Sequence, residues 1–358
     1  MDKGKDNYIS TVKAIGIILV VVGHSIDECF AHRVIYIFHM PLFFFCSGYF
    51  YKVPSSIENV KQYIQKRVRG LYFPFVKWSV LFMLLHNLFY TWNFYPKEDD
   101  FYKCYISSDY ASHLKSILFT MTGQEFFLVP LWFLKELLLA SVFVCLFTFI
   151  LRKVSYMFKD IVMWCFLFVM AIISKPNEWG LPIIWNLSIM YLSATFFFAG
   201  YMYRMVERER FYSLSRLSFC LIILFIVVWY WKDTPNMLGY TADSIPLFVL
   251  MALIGILSVF AASYLIELSS IKYFFYYIGS HTMIVLVFHL LAFKVVSLLK
   301  IYIYGLPIEN LSKWTIQDHN ELFWLVYSLV GIGLPLLIYE IGNRLRAYVV
   351  GIKRKYIL

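Results

Sequence analysis

Apolar runs of about twenty residues, the length a helix needs to cross a bilayer, alternate with short charged connections along almost the whole chain. The runs are long and continuous, not two-residue alternations, so they predict helices and exclude an outer-membrane barrel. Ten spans are expected, at about 11–28, 34–51, 70–92, 129–151, 160–174, 183–203, 217–232, 245–266, 281–299 and 322–342. The expected fold is all-α: a polytopic transmembrane helical bundle making one domain over 1–358, with no separate soluble domain. The longest connection, 93–128, is rich in aromatic and acidic residues, and its 112–121 part is expected to form a surface helix. Two readings of it stand side by side: an ordered cap on the bundle, or a substrate-binding loop.

Composition agrees with this pattern. The chain is 61% hydrophobic and 15% charged, where a soluble protein carries about 25% charged residues. The net charge of +10 gives orientation rather than affinity for nucleic acid. One set of connections holds Lys3 and Lys5, Lys52 to Arg69, Arg152 to Lys159, Arg204, Arg208, Arg210, Arg216, Lys272, and Arg344 to Lys355. The other set has fewer cations, among them Arg33, Lys300 and Lys313, read as loop charges. It also holds most of the acids: Glu98, Asp99, Asp100, Asp109, Glu178, Asp233, Asp243, Glu309, Asp318 and Glu321. The positive-inside rule then puts both termini in the cytoplasm, which an even number of spans allows. The first apolar run is read as retained, because a second span follows at once. Six cysteines show no metal or redox spacing and read mostly as small buried hydrophobes; only Cys29 and Cys104 share the outer face. No internal repeat is visible, so an inverted-repeat transporter gains no support.

Ionisable residues inside spans are costly and point to function. Lys13 and His24 are eleven positions apart. That spacing is within about 20° of three whole turns, so they share one helix face, about 16 Å apart along the axis. The turn around Asp27, Glu28, His32 and Arg33 brings His39 to a depth similar to that of His24. A neutral imidazole suits the role of general base toward a hydroxyl. Gly16 and Gly23 read as packing residues. Ser47 and Gly48 read either as packing or as a narrow passage for an acyl chain or pantetheine arm. Lys66, Arg67 and Arg69 at the cytoplasmic edge of the third span read as topogenic charge or as a phosphate receptor. Trp132 opens the fourth span from outside, and Glu136 lies in its outer third. His289 is mid-span, where a structural interhelix bond is the equal alternative. Asp318, His319 and Glu321 read as a solvated loop. No metal-ligand spacing occurs, and no metal is expected.

The residues Lys13…His24-Ser25, Phe38-His39-Met40-Pro41-Leu42-Phe43-Phe44 and Ser47-Gly48-Tyr49 resemble the acyltransferase-3 family of bacterial membrane proteins, in particular its fucose-O-acetylase-like branch. The resemblance continues through Lys66-Arg67-Val68-Arg69…Pro74, Leu131-Trp132-Phe133-Leu134, Gly279-Ser280 and Phe288-His289. It implies transfer of an acetyl or other acyl group from cytoplasmic acyl-CoA to a hydroxyl of a cell-surface or lipid-linked saccharide, in the bacterial inner (cytoplasmic) membrane. The family's essential basic residue and histidine fall on Lys13 and His24. Many members carry arginine at the first of these, and lysine lacks its bidentate grip on phosphate. On this reading Lys13, His24 and His39 are catalytic, while Lys66, Arg67, Arg69 and Ser47 bind the donor. Trp132, Glu136 and His289 bind the acceptor. No bound cofactor is implied, acetyl-CoA being a substrate; the partners are acyl-CoA, the saccharide and membrane lipids, with no nucleic acid. His24 is either a general base or a covalent acyl carrier. The competing classes are an exporter of an acylated sugar or lipid and an acyltransferase to a non-sugar acceptor.

Overall fold

The computed structural model describes residues 3–97, 102–123, 125–154, 158–174, 187–206, 213–231, 236–238, 243–317 and 322–355, and among these every regular element is a helix. The loop residues Glu98, Asp99, Asp100, Glu178, Arg208, Arg210, Asp233, Asp318, His319 and Glu321 and the start of the 183–203 span lie outside the described residues. Helices α1 (Lys3–Ser25) and α2 (Phe30–Tyr49) form the expected hairpin, and α2 runs on through Pro41. Ser56 caps α3 (Ile57–Arg67), its hydroxyl accepting from the Asn59 amide at 3.2 Å, which satisfies a donor left over at the helix start.

The segment expected as a third span is divided. A π-turn at Val68–Tyr72 leads into α4 (Phe73–Leu84), and α5 (His86–Thr91) follows after a break at Leu85. Pro74 in the first turn of α4 has no N–H to give, so the chain enters that helix through a wider turn. Beyond the break, His86 is fully buried and paired through Nδ1 with Glu125 at 2.7 Å, while its Nε2 donates to the Lys103 carbonyl at 2.9 Å. Tyr105 stacks on the same imidazole, 3.4 Å between ring centroids, and Tyr95 donates to the Glu125 carboxylate. The described parts of the 93–128 connection thus gather Tyr95, Lys103, Tyr105 and Glu125 around the buried His86 imidazole. Its helix α6 (Ser107–Thr120) starts earlier than the sequence suggested because Asp109 accepts from the Ile106 amide at 3.0 Å.

A 3-10 turn, Phe126–Leu131, feeds α7 (Trp132–Ile150), followed by α8 (Lys159–Ile173), α9 (Ser188–Val206), α10 (Leu214–Tyr230) and α11 (Ile245–Glu267). The last three are α12 (Lys272–Ser280), α13 (Thr282–Tyr304) and α14 (Phe323–Lys355). Gly305 ends α13 at a φ of +61°, a left-handed conformation that costs glycine little. Among the described residues six segments are long and apolar enough to cross a membrane: Asn7–Ser25, Phe30–Tyr49, Phe126–Lys153, Ile245–Glu267, Thr282–Tyr304 and Phe323–Tyr348. With 15 and 17 residues, α8 and α10 reach only about 22 and 26 Å, against a hydrocarbon core of about 30 Å.

Helix α1 sits at the centre, packed by α2, α11, α12, α13 and α14, while α2 also meets α9. At the α2–α9 crossing a Cβ on Gly48 would collide with the Phe197 carbonyl, and one on Gly200 with the Phe45 carbonyl. Packing is therefore the reading that holds for Gly48. Outward faces of α10 and α14 leave Ile222, Phe225, Trp229, Leu337, Ile338 and Ile341 exposed. That is the surface expected where lipid, not water, is the neighbour. Among the described residues Cys29 and Cys104 are free thiols and exposed.

Candidate active site

Two cavities open along α1, and the predicted pair is divided between them. One, of about 230 Å³, is lined by Lys13 and Ile17 of α1, by Met40, Phe43, Cys46 and Ser47 of α2, by Phe133 and Leu137 of α7, and by Thr282, Met283 and Leu286 of α13. The other, of about 180 Å³, is lined by Val20 and His24 of α1, Tyr36, His39 and Met40 of α2, Pro130 and Trp132 at the head of α7, and Asn236, Met237, Leu238 and Trp314. Three turns of α1 put Lys13 in the first and His24 in the second. Among the described residues only Met40 lines both. Lys13 and His24, on one helix face, thus line separate cavities that meet at one thioether side chain.

In the His24 cavity the imidazole is boxed in by rings. Its centroid lies 5.4 Å from that of His289, 5.4 Å from that of Trp314 and 6.3 Å from that of Tyr36. The Tyr36 hydroxyl stands 3.4 Å from Nδ1 of His24, the long end of a hydrogen bond. Tyr36 in turn stacks on His32 at 3.9 Å and meets His39 at 4.8 Å. His39 gives its Nδ1 proton to the Ile35 carbonyl at 2.8 Å. His289 gives its own to the Val285 and Leu286 carbonyls, each at 3.0 Å. A carbonyl only accepts, so each of these rings in neutral form presents Nε2 as an acceptor. Nε2 of His289 is buried and has no hydrogen-bond partner. Trp132 lines this cavity, whereas Glu136 and His289 line neither cavity. Glu136 is buried one turn beyond Trp132, and His289 packs behind His24.

In the Lys13 cavity Ser47 is the polar partner from α2. Arg67 reaches it from α3, Nη1 donating to Ser47 Oγ and Nε to the Tyr63 hydroxyl, both at 2.9 Å. The guanidinium lies over the Tyr63 and Phe197 rings, 5.0 and 5.6 Å from their centroids. Lys66 and Arg69 are exposed and line neither cavity. Arg67 also lines neither cavity, but of the three cations it is the one that reaches the site, through its bond to Ser47.

Two lysines escaped the sequence reading. Lys300, read there as a loop charge, is fully buried and donates to the Ile316 carbonyl at 2.7 Å. Lys294, also buried, donates to the carbonyls of Leu311 and Lys313 at 2.8 and 2.6 Å. The Lys294 ammonium also lies 5.5 Å from the Phe126 ring and 5.4 Å from that of Phe127. Gln317 donates to the Ser25 carbonyl at 3.1 Å. These bonds fix the 307–317 segment, and with it Trp314, over His24. Phe126 packs against Trp314 at 5.5 Å, so Lys294 binds both walls of that roof to α13.

Fold and site together define a helical membrane protein with a cation cavity and an imidazole cavity on one central helix. Residues 6–340 match the family model described as an acyltransferase domain, Acyl_transf_3. The chain belongs to the acyltransferase-3 family, and it is a membrane acyltransferase. No curated protein and no solved structure matches it.

Proposed function

We propose that the protein moves an acyl group, acetyl in the simplest case, from cytoplasmic acyl-CoA to a hydroxyl of a cell-surface or lipid-linked saccharide in the bacterial inner membrane. The observation that carries this reading is the pairing of two chemically different cavities along α1, joined at Met40. Lys13, Ser47 and Arg67 supply cations and a hydroxyl for the phosphates and pantetheine of the donor. The His24 cavity offers Trp132, Trp314 and Tyr36, flat rings of the kind that cover the apolar faces of sugars. The loop-charge asymmetry supports a cytoplasmic Lys13 end, both termini inside and a ten-span plan, with the shorter helices completing the bundle.

His24 is the general base. In the tautomer whose Nδ1–H points to the Tyr36 oxygen, 3.4 Å away, Nε2 is free to take the acceptor proton. The acceptor oxygen then bonds the acyl carbon as the carbon–sulfur bond breaks. The proton taken by His24 passes to the leaving thiolate, which departs as the CoA thiol. His289 and His39, each held as acceptors by backbone carbonyls, surround the transient imidazolium. General-base catalysis at such a site is worth about two to four decades in rate.

The test is the purified protein in phospholipid vesicles with acetyl-labelled acetyl-CoA and the saccharide fraction stripped from cells lacking the protein. Base-labile label appearing on saccharide supports the reading. Label retained on CoA, with saccharide instead crossing the membrane, would favour an exporter.

A further inference from the structure

We infer that Met40 is a septum that sets the length of acyl chain the protein transfers. The inference rests on the donor and acceptor assignment proposed above. Met40 is the one described residue common to both cavities and is 7% exposed. Its neighbours along α2 divide cleanly: His39 lines the His24 cavity and Phe43 the Lys13 cavity. The same division falls between Val20 and Ile17 on α1, and between Trp132 and Phe133 on α7. Three helices thus change allegiance at one depth, and the Met40 side chain stands at that depth.

A thioester donor held by its phosphates at the Lys13 end enters with the acyl group leading. For the acceptor oxygen to bond the acyl carbon at His24, and for the carbon–sulfur bond to break there, the acyl group must first pass Met40. It must then share about 180 Å³ with the acceptor hydroxyl. Methionine is unbranched and has three rotatable side-chain bonds, so it yields to a small group without rearrangement of the helices. A longer chain must hold the side chain aside and then fold up against Trp132, Tyr36 and Trp314. The geometry therefore selects acetyl over longer acyl groups, and the selecting atoms are those of Met40.

The experiment compares acetyl-, butyryl- and hexanoyl-CoA as donors to the saccharide fraction of cells lacking the protein, with the protein in phospholipid vesicles. Ester type is read by mass spectrometry, and donor affinity separately by calorimetry. Wild type is expected to prefer acetyl. In Met40→Ala the butyryl-to-acetyl rate ratio should rise about tenfold or more, the discrimination one or two methylenes carry in an apolar pocket. In Met40→Phe acetyl transfer should fall about tenfold with acetyl-CoA affinity unchanged, and Met40→Leu should keep the wild-type profile. The Phe and Leu variants keep a side chain at the position, so the comparison survives a poorly folded Met40→Ala. Acetyl transfer by wild type with chain-length ratios unmoved in all variants would overturn the septum alone. Absence of ester from every donor with wild type would overturn the proposed function and the septum with it.

Discussion

The Lys13 cavity and the His24 cavity share α1, α2, α7 and one wall, yet differ in what the side chains offer. The first pairs an ammonium with a hydroxyl and has a guanidinium behind it, in an otherwise apolar pocket. The second has two imidazoles, a phenol and two indoles. Cations with a hydroxyl are binding chemistry for an anion; imidazoles with a phenol are proton-transfer chemistry. The difference teaches that residues sharing one helix face need not share one site. On the proposed reading, eleven positions of α1 separate a binding task from a chemical one.

Four substitutions sharpen that division. The largest effect belongs to His24→Ala, which should lower the transfer rate by about two to four decades while protein level and membrane insertion hold. Near wild-type turnover in a folded His24→Ala protein would erase the distinction. Next is Arg67→Gln, which removes the contact behind Ser47. Acetyl-CoA affinity should fall by about one to two decades, the weight of a charge-assisted hydrogen bond, with the rate at saturation little changed. Arg69→Gln, on an exposed residue outside the cavity, should leave donor affinity nearly unchanged; equal loss from both would return the whole cation cluster to the donor site. The smallest effect is expected for Lys294→Met, which frees the Leu311 and Lys313 carbonyls and loosens Trp314. Acceptor KM should rise about two- to tenfold, the range of one ordinary hydrogen bond, with donor KM constant. A matching rise in donor KM would mean the roof serves the whole bundle and not the His24 cavity.

The sequence held the common face of Lys13 and His24, because helical periodicity acts locally, and the depth of His39, because a hairpin has one geometry. It also contained a signal for Tyr36 that went unread: His32, Tyr36 and His39 follow one another at four and three positions along α2, and their rings meet. Trp314 and Lys294 had no such signal, since their contacts join segments far apart in the chain. Lys300 looked like a loop charge because its place near the end of a span suggested water, yet its ammonium is spent on a buried carbonyl. The division of the segment over 70–92 was equally hidden. The partner that takes up His86 after the break is Glu125, in another part of the chain.

The central claim is that donor binding and transfer are separable along α1. The most direct test is calorimetric titration of acetyl-CoA into wild type, His24→Ala and Lys13→Gln in detergent at low salt, beside their transfer rates. His24→Ala should bind acetyl-CoA with wild-type affinity yet transfer about two to four decades more slowly, while Lys13→Gln should bind about one to two decades more weakly. Loss of acetyl-CoA affinity in His24→Ala equal to that in Lys13→Gln would contradict the account and make the two cavities one site.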